Sequence, residues 1–272
     1  ESVRIYHIAD VHSHWEPAVR AANASGRPDL LVMNGDLPED GGSAEHILTI
    51  YKLAEGITGG NIPIVFARGN HDCRGTFAEH LGEYIPLDGE RTYYTFSLGP
   101  IWGVVLDCGE DKPDDHPEYG GTDGTIWFHA YRQEETAFLK RVAENRDMEY
   151  NEESVRYRFV IVHNPFTRQL EPPFDIEKEI YSEWAAILKE QIHPDLMLCG
   201  HIHETAVYEP GGEMDHLGQP CPVVVGADPL YLHEKKEDSF VGAAFVLQNE
   251  EIRLSFTDSK GKVRGPEHLW KV

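Results

Sequence analysis

Five short apolar segments in this chain each end beside a side chain that can bind a metal ion. The segments are rich in Val, Ile, Leu and Phe and are too short for core helices. We therefore predict buried strands at residues 3–9, 30–33, 62–67, 159–162 and 196–198. Since ligands of an open α/β sheet bind beyond the carboxyl ends of its strands, the side chains that follow these segments are expected to converge.

Seven side chains occupy those positions: Asp10, His12, Asp36, Asn70, His163, His201 and His203. Seven is too many for one tetrahedral zinc ion and suits two metal ions that share a carboxylate. We expect His201 and His203 to lie on one side of a strand because they are two residues apart, with Gly200 leaving room for a metal ion. Taken singly, an Asp or Asn after a strand is also explained as a turn or cap residue.

The order and spacing of these residues resemble those of the calcineurin-like metallophosphoesterases. The motifs of that family read D-x-H, G-D, G-N-H-[DE], H and G-H-x-H, and each occurs here in order between residues 10 and 203. The resemblance implies an enzyme that hydrolyses phosphoesters, with a hydroxide held between two metal ions as the nucleophile.

The resemblance also implies how the ligands divide between the two ions. Asp36 would bridge them, and the other ligands would divide into Asp10, His12 and His203 for one ion and Asn70, His163 and His201 for the other. Side chains of these types bind divalent or trivalent transition-metal ions, and Mn, Fe, Zn and Ni all remain open.

Residues next to the third motif are candidates for catalysis. The resemblance implies that His71 protonates the leaving oxygen or hydrogen-bonds the phosphoryl group, while Asp72 fixes its tautomer. Arg74, two residues further on, could contact phosphate oxygens in a bidentate manner or form a surface salt bridge.

Two long loops, residues 108–130 and 209–222, are candidates for substrate selection. We hypothesise that the first is a lid in which His116 and the aromatic residues Tyr119, Trp127 and Phe128 contact the leaving group. The alternative is a surface insertion whose aromatic side chains pack beneath their own loop.

Departures from two subfamilies narrow the activity. Purple acid phosphatases carry G-D-x-x-Y, whereas this chain has Glu39 in place of the tyrosine, and the protein Ser/Thr phosphatase motifs G-D-x-H-G and G-D-x-V-D-R-G are absent. Small-molecule phosphodiesterases and phosphomonoesterases remain. The alternative from another class is a metal-binding interaction scaffold with negligible turnover.

Charge indicates the kind of partner. The 272 residues carry a net charge of −23, which repels polyanions, so we expect a small phosphate ester as the partner and neither a nucleic-acid polymer nor a membrane.

The four cysteines lack metal or disulfide spacing and are predicted to be buried free thiols. No apolar stretch is long enough for a membrane helix and no leader opens the chain, so a cytoplasmic location is expected. Oligomeric state is open.

The remaining patterns predict an α/β fold. Helices are predicted around residues 44–51, 138–142 and 180–188, a hairpin at 91–106, and further strands near 223–225, 240–247 and 252–256. Late strands without intervening helices favour a second sheet. With the family resemblance, they predict a four-layer α/β/β/α sandwich with two mixed sheets packed face to face, in a single domain of residues 1–272.

Overall fold

The computed structural model describes residues 2–85, 87, 91–117 and 127–272. Within these residues the strands are β1 (Val3–Ile8), β2 (Leu30–Asn34), β3 (Ile64–Ala67), β4 (Tyr94–Leu98), β5 (Ile101–Leu106), β6 (Tyr157–Val162), β7 (Leu196–Cys199), β8 (Glu204–Tyr208), β9 (Val223–Asp228), β10 (Val241–Gln248), β11 (Glu251–Asp258) and β12 (Val263–Lys271). The helices are α1 (Trp15–Ala24), α2 (Ala44–Thr58), α3 (Leu81–Tyr84), α4 (Phe128–Glu144) and α5 (Lys178–Ile187).

The strands form two halves of mixed direction. In the first half β3, β2 and β1 are parallel, and β10, β11 and β12 follow in antiparallel order. In the second half β5, β6, β7 and β9 are parallel, with β4 and β8 antiparallel at the edges. Two residue pairs between β9 and β10, Asp228 with Val241 and Ala227 with Gly242, join the halves.

Three buried clusters show how the layers pack. Side chains such as Ile5 and Ile161 pair the inner faces of the two halves, whereas Tyr6 faces α1 and α2, and Val160 faces α4 and α5. Strands covered on both faces read as continuous apolar runs, which explains the five segments seen in the sequence. The mixed α/β fold is confirmed. The halves are, however, one hydrogen-bonded network rather than two separate sheets, because β9 and β10 pair.

Local signals account for the ends of α2, whereas α1 was not predicted. The Ser43 side chain accepts a hydrogen bond from the His46 backbone N–H (3.2 Å), and Gly59 ends α2 in the left-handed conformation (φ 59°). In α1 no side chain caps the helix, and the buried face is built from small residues including Ala18, Ala21 and Ala22. These alanines recur at the i, i+3, i+4 spacing of an amphipathic helix, but alanine is a weaker apolar signal than Leu, Ile or Val, and α1 was not predicted.

The chain from β1 to β12 contributes to one sheet network, which supports the predicted single domain without testing it. All four cysteines are free thiols, and three of them are buried. None of the helices in the described part of the chain has the length and apolar character needed to cross a membrane.

Candidate metal centre

The carboxyl ends of five strands meet at one place. Asp10 follows β1, Asp36 follows β2, Asn70 follows β3, His163 follows β6 and His201 follows β7. Backbone hydrogen bonds connect the strand ends: the Asp10 N–H donates to the Gly35 carbonyl (3.1 Å) and the Gly200 N–H to the His163 carbonyl (2.9 Å). The predicted convergence is therefore present, and it draws on both halves of the sheet.

Asn34 connects the two halves beneath this site. It is fully buried at the end of β2, and its side-chain amide nitrogen lies 2.9 Å from the Leu198 carbonyl oxygen and 3.3 Å from that of Val162. The same nitrogen lies 3.0 Å from His7 Nε2, and the Asn34 backbone carbonyl accepts a hydrogen bond from His163 Nδ1 (2.6 Å). One residue thus joins the ends of β2, β6 and β7.

Glycines allow the motifs to approach each other closely. A Cβ atom on Gly35 would lie 2.6 Å from the backbone of Gly69 and from the His163 ring. One on Gly200 would lie 2.5 Å from the Ala9 Cβ and from an Asp10 carboxylate oxygen. Gly200 therefore leaves room for the motif around Asp10, and the room that it was expected to leave for a metal ion stays a prediction.

Five of the seven candidate ligands have left-handed backbone conformations: Asp10, His12, Asp36, His201 and His203, with φ between 46° and 73°. Such conformations are uncommon outside glycine and each costs roughly 1–3 kcal/mol, so they persist where surrounding structure holds them. The prediction that His201 and His203 lie on one strand is wrong, because both lie in the turn between β7 and β8.

The first ligand group contains Asp10, His12 and His203, whose ligand atoms all lie within 4.8 Å of one another. The Nε2 atoms of His12 and His203 are 3.0 Å apart, and His203 Nε2 is 3.6 Å from Asp10 Oδ1. Asp10 is held by the His201 backbone N–H, which donates to both of its oxygens at 2.9 and 3.0 Å.

The second group contains Asp36, His163 and His201, again within 4.8 Å. His163 Nε2 lies 3.1 Å from Asp36 Oδ2, and His201 Nδ1 lies 2.9 Å from Asn70 Oδ1. The His163 imidazole, which follows β6, therefore lies against the Asp36 carboxylate, which follows β2. The two groups contain the same histidines that the family resemblance assigns to the two ions.

The far nitrogens of three imidazoles face acceptors. His163 Nδ1 bonds to the Asn34 carbonyl, His12 Nδ1 lies 3.4 Å from the Glu39 carboxylate, and His201 Nε2 lies 3.8 Å from that of Asp111. A proton on each far nitrogen leaves a lone pair on the nitrogen that points into the site. His163 Nε2 is buried without a hydrogen-bond partner, so this set of donors fits metal ions.

Burial and close charges determine the protonation of the site. Burial raises the pKa of Asp10 to about 8 and lowers that of His12 to about 3 and that of His201 to about 4. For Asp36, neighbouring imidazoles, His163 above all, outweigh burial and hold the pKa well below its usual range. Burial opposes charge on His163 as well, but Asp36 and Asp10 outweigh it and raise the pKa to about 10. The two carboxylates thus favour positive charge at His163 Nε2, either a proton or a metal ion.

A third group was not predicted and contains His12, Glu39 and His71. The His71 ring packs edge-on against that of His12 with centroids 4.7 Å apart, which places His71 beside the first ligand group. Glu39 follows Asp36 by three residues, and the sequence comparison noted it only as a missing tyrosine. Because Glu39 comes only three residues after the candidate ligand Asp36, its position in the sequence could have indicated that it lies near His12.

The predicted role of Asp72 is wrong in this structure. Its carboxylate accepts hydrogen bonds from the backbone N–H groups of Asp36 (2.9 Å) and Gly69 (2.8 Å). The tautomer of His71 is instead set by the Glu39 backbone carbonyl, which lies 2.7 Å from His71 Nδ1. Asp72 therefore positions the loops that carry Asp36 and Asn70.

Arg74 forms a salt bridge, one of the two alternatives expected for it. Its Nε and Nη2 atoms donate to the two carboxylate oxygens of Glu110 (2.7 and 2.9 Å), so the bidentate face predicted to bind phosphate is occupied. The remaining nitrogen, Nη1, lies 3.1 Å from His71 Nε2. Arg74 thus links His71 to the loop after β5.

The structure describes only part of the loop that was predicted to be a lid. Tyr119 lies outside the described residues, and Trp127 is exposed. The guanidinium carbons of Arg68 and Arg132 lie 5.9 and 5.7 Å from the centroid of the Phe128 ring, so this ring packs against residues outside the loop, and its contact with a leaving group stays a prediction. His116 is half-buried beyond Pro113, and its contact with substrate stays a prediction.

Comparison with known proteins places this geometry in a family. A sequence model described as Calcineurin-like phosphoesterase matches residues 3–205. The chain belongs to that family. A search of curated protein sequences gave no significant match.

Solved structures share the fold of this family member at low sequence identity. A purple acid phosphatase from yellow lupin (Lupinus luteus) has a TM-score of 0.65 at 12% identity over 100% of this chain, which spans only 54% of the lupin chain. A dimetal phosphatase from Danio rerio has a TM-score of 0.62 at 12% identity, with 99% of this chain and 98% of that one covered. GAP50, the anchor in the inner membrane complex of Plasmodium, has a TM-score of 0.59 at 14% identity over 100% and 89%.

Replacing one histidine should remove one metal ion. We expect two Mn²⁺ per chain in the wild type and one in His163→Ala, because the second group loses a ligand that Asp36 and His201 cannot replace. Metal content after gel filtration, measured by mass spectrometry, checks this. His80→Ala, at a half-exposed histidine, should keep two ions. Two ions in His163→Ala would contradict the assignment.

Removing the Asn34 amide should destabilise the fold. Asn34→Ala leaves the Val162 and Leu198 carbonyls without this partner, and we expect the free energy of unfolding to fall by about 2–5 kcal/mol. Urea denaturation measures the change. The matched variant Asn61→Ala removes an exposed amide and should change stability by less than about 0.5 kcal/mol. Equal effects of the two substitutions would show that Asn34 does not join the halves.

Proposed function

We propose that this protein is a dimetal-dependent phosphoester hydrolase acting on a small-molecule phosphate ester. The observation that carries the proposal is the pair of ligand groups, one from the D-x-H and G-H-x-H motifs and one built around Asp36 and His163. Membership of the phosphoesterase family and a fold shared with a dimetal phosphatase support it.

Asp10, His12 and His203 would hold one ion, Asn70, His163 and His201 the other, and Asp36 both. Bound ions would neutralise charge on the phosphoryl oxygens and lower the pKa of a water molecule between them. The hydrogen bond from His163 Nδ1 to the Asn34 carbonyl favours the tautomer of His163 that binds metal, and the carboxylates of Glu39 and Asp111 lie near the far nitrogens of His12 and His201.

Hydrolysis adds one water molecule across the ester bond. A P–O bond to the water oxygen forms as the P–O bond to the alcohol breaks, and the alcohol leaves with a proton. His71 is the candidate for delivering that proton or for hydrogen-bonding the phosphoryl group, because its Nδ1 is held by the Glu39 carbonyl and its ring lies against His12. Arg74 and Glu110 position it.

The charge of the chain supports a small substrate. A net charge of −23 opposes association with nucleic-acid polymers and anionic membranes, whereas two bound dications would offset it locally. Monoesters and diesters are both open, as is the metal among Mn, Fe, Zn and Ni. The cytoplasmic location stays a prediction.

Loss of the bridging carboxylate should abolish activity. Manganese-loaded wild type is expected to hydrolyse p-nitrophenyl phosphate or bis-p-nitrophenyl phosphate, and Asp36→Asn should lower kcat/KM at least about 100-fold because both ions lose a charged ligand. Asp238→Asn, at an exposed aspartate, is the matched control and should retain full activity. Full activity of Asp36→Asn would contradict the proposal.

A second variant separates catalysis from metal binding. His71→Gln should lower kcat by about 10²- to 10⁴-fold with two metal ions still bound, since the proton or hydrogen bond is lost without a ligand. His80→Gln serves as control. If the wild type binds two ions yet hydrolyses neither ester, the interaction-scaffold alternative is favoured instead.

A further inference from the structure

A cleft adjoins the candidate metal centre on the side of His201. The space between its walls is about 420 Å³ when the adjoining open solvent is counted, and the centre of a water-sized molecule can occupy about 40 Å³ of it. It is lined by His201 and Ile202, by the apolar side chains of Leu170, Phe174 and Ile176 among others, and by Arg168. A cleft with several apolar walls and a few polar groups is the usual form of a small-molecule site.

The position of the cleft relates it to the proposed reaction. His201 lines the cleft and also belongs to the second ligand group. Arg168 and Leu170 also line a neighbouring cleft around Glu213 and His216, and Ile176 also lines one around Asp115 and His129, but neither of these two clefts includes a candidate metal ligand. An ester bound at the centre could therefore extend its organic group into the cleft beside His201.

Arg168 differs from several other arginines of the chain in its partners. Within the described part of the chain its guanidinium forms no hydrogen bond or ion pair, whereas those of Arg68, Arg74 and Arg132 bind carboxylates. The Asp111 carboxylate also lines the cleft, but Lys112 Nζ lies 2.9 Å from it and offsets its charge. In a chain of net charge −23, a partly buried guanidinium without a carboxylate partner is suited to bind an anion from outside the protein.

We propose that the cleft binds the alcohol part of the substrate, and that this part is an apolar or aromatic group carrying a second anion that Arg168 binds. The inference rests on the proposed hydrolase function, because it assigns the phosphoryl group to the metal centre. Phe174 and Leu170 contact the organic group, and the guanidinium binds a carboxylate or phosphate in a bidentate manner.

Two non-hydrolysable ligands test this directly. 4-Carboxybenzylphosphonate carries the second anion, and its carboxylate methyl ester lacks that charge and is larger by one methyl group. We expect manganese-loaded wild type to bind the acid more tightly, and Arg168→Gln to weaken binding of the acid roughly 10- to 100-fold while changing that of the methyl ester less than about twofold. Calorimetry measures both dissociation constants.

Three further variants sharpen the test. Arg168→Lys keeps the charge without the planar fork and should lose affinity for the acid to an intermediate degree. Phe174→Ala should weaken both ligands equally, because it removes apolar contact alone. Arg146→Gln, at an exposed arginine, should change neither.

The outcomes separate the inference from the function on which it rests. Equal loss on both ligands in Arg168→Gln, or no preference of the wild type for the acid, overturns the cleft assignment. Arg168-dependent binding of the acid by a protein that hydrolyses neither 4-carboxyphenyl phosphate nor its methyl ester contradicts the hydrolase and leaves the cleft as a binding site. With activity present, kcat/KM for these two esters should show the same Arg168-dependent difference.

Discussion

The contact of Asn34 with the ends of β6 and β7 underlies the rest of this site. The candidate metal-binding side chains come from both halves of the sheet, and within the described residues strand pairing joins these halves between β9 and β10. Asn34 fastens β2 to β6 and β7 directly below the ligands, and its carbonyl orients His163. Because the amide and the carbonyls are buried, separating the halves would leave several polar groups without partners.

The strand ends approach each other closely at the candidate metal centre, which brings buried charged groups and strained backbone conformations together. Asp10 and Asp36 are buried beside His163, and five candidate ligands have left-handed backbone conformations. Glycines at positions 35 and 200 permit the approach, because a methyl group at either would overlap a neighbouring motif. Such a cluster is unfavourable as a set of isolated buried groups, and a bound cation would relieve that cost.

The success of the sequence predictions followed the strength of each local signal. Continuous apolar runs predicted the parallel strands, and Ser43 with Gly59 marks the ends of α2. α1 was missed because alanines build its buried face, and β12 because few apolar residues occur in it. The role of Asp72 was misjudged and that of Arg74 was left open between two alternatives, since a carboxylate or guanidinium can bind any nearby partner and its neighbours in sequence do not reveal which one.

The sequence by itself determined the fold class, the family and the seven candidate ligands, because those depend on residue type, order and spacing along the chain. Only the tertiary structure decided that Asn34 joins the halves and that Glu39 and Asp111 lie near the imidazoles of His12 and His201. It also decided that the Arg74 guanidinium binds the Glu110 carboxylate. These contacts link residues from separate strands and loops. Their distances depend on how the two halves of the sheet pack, and no local pattern in the chain encodes that packing.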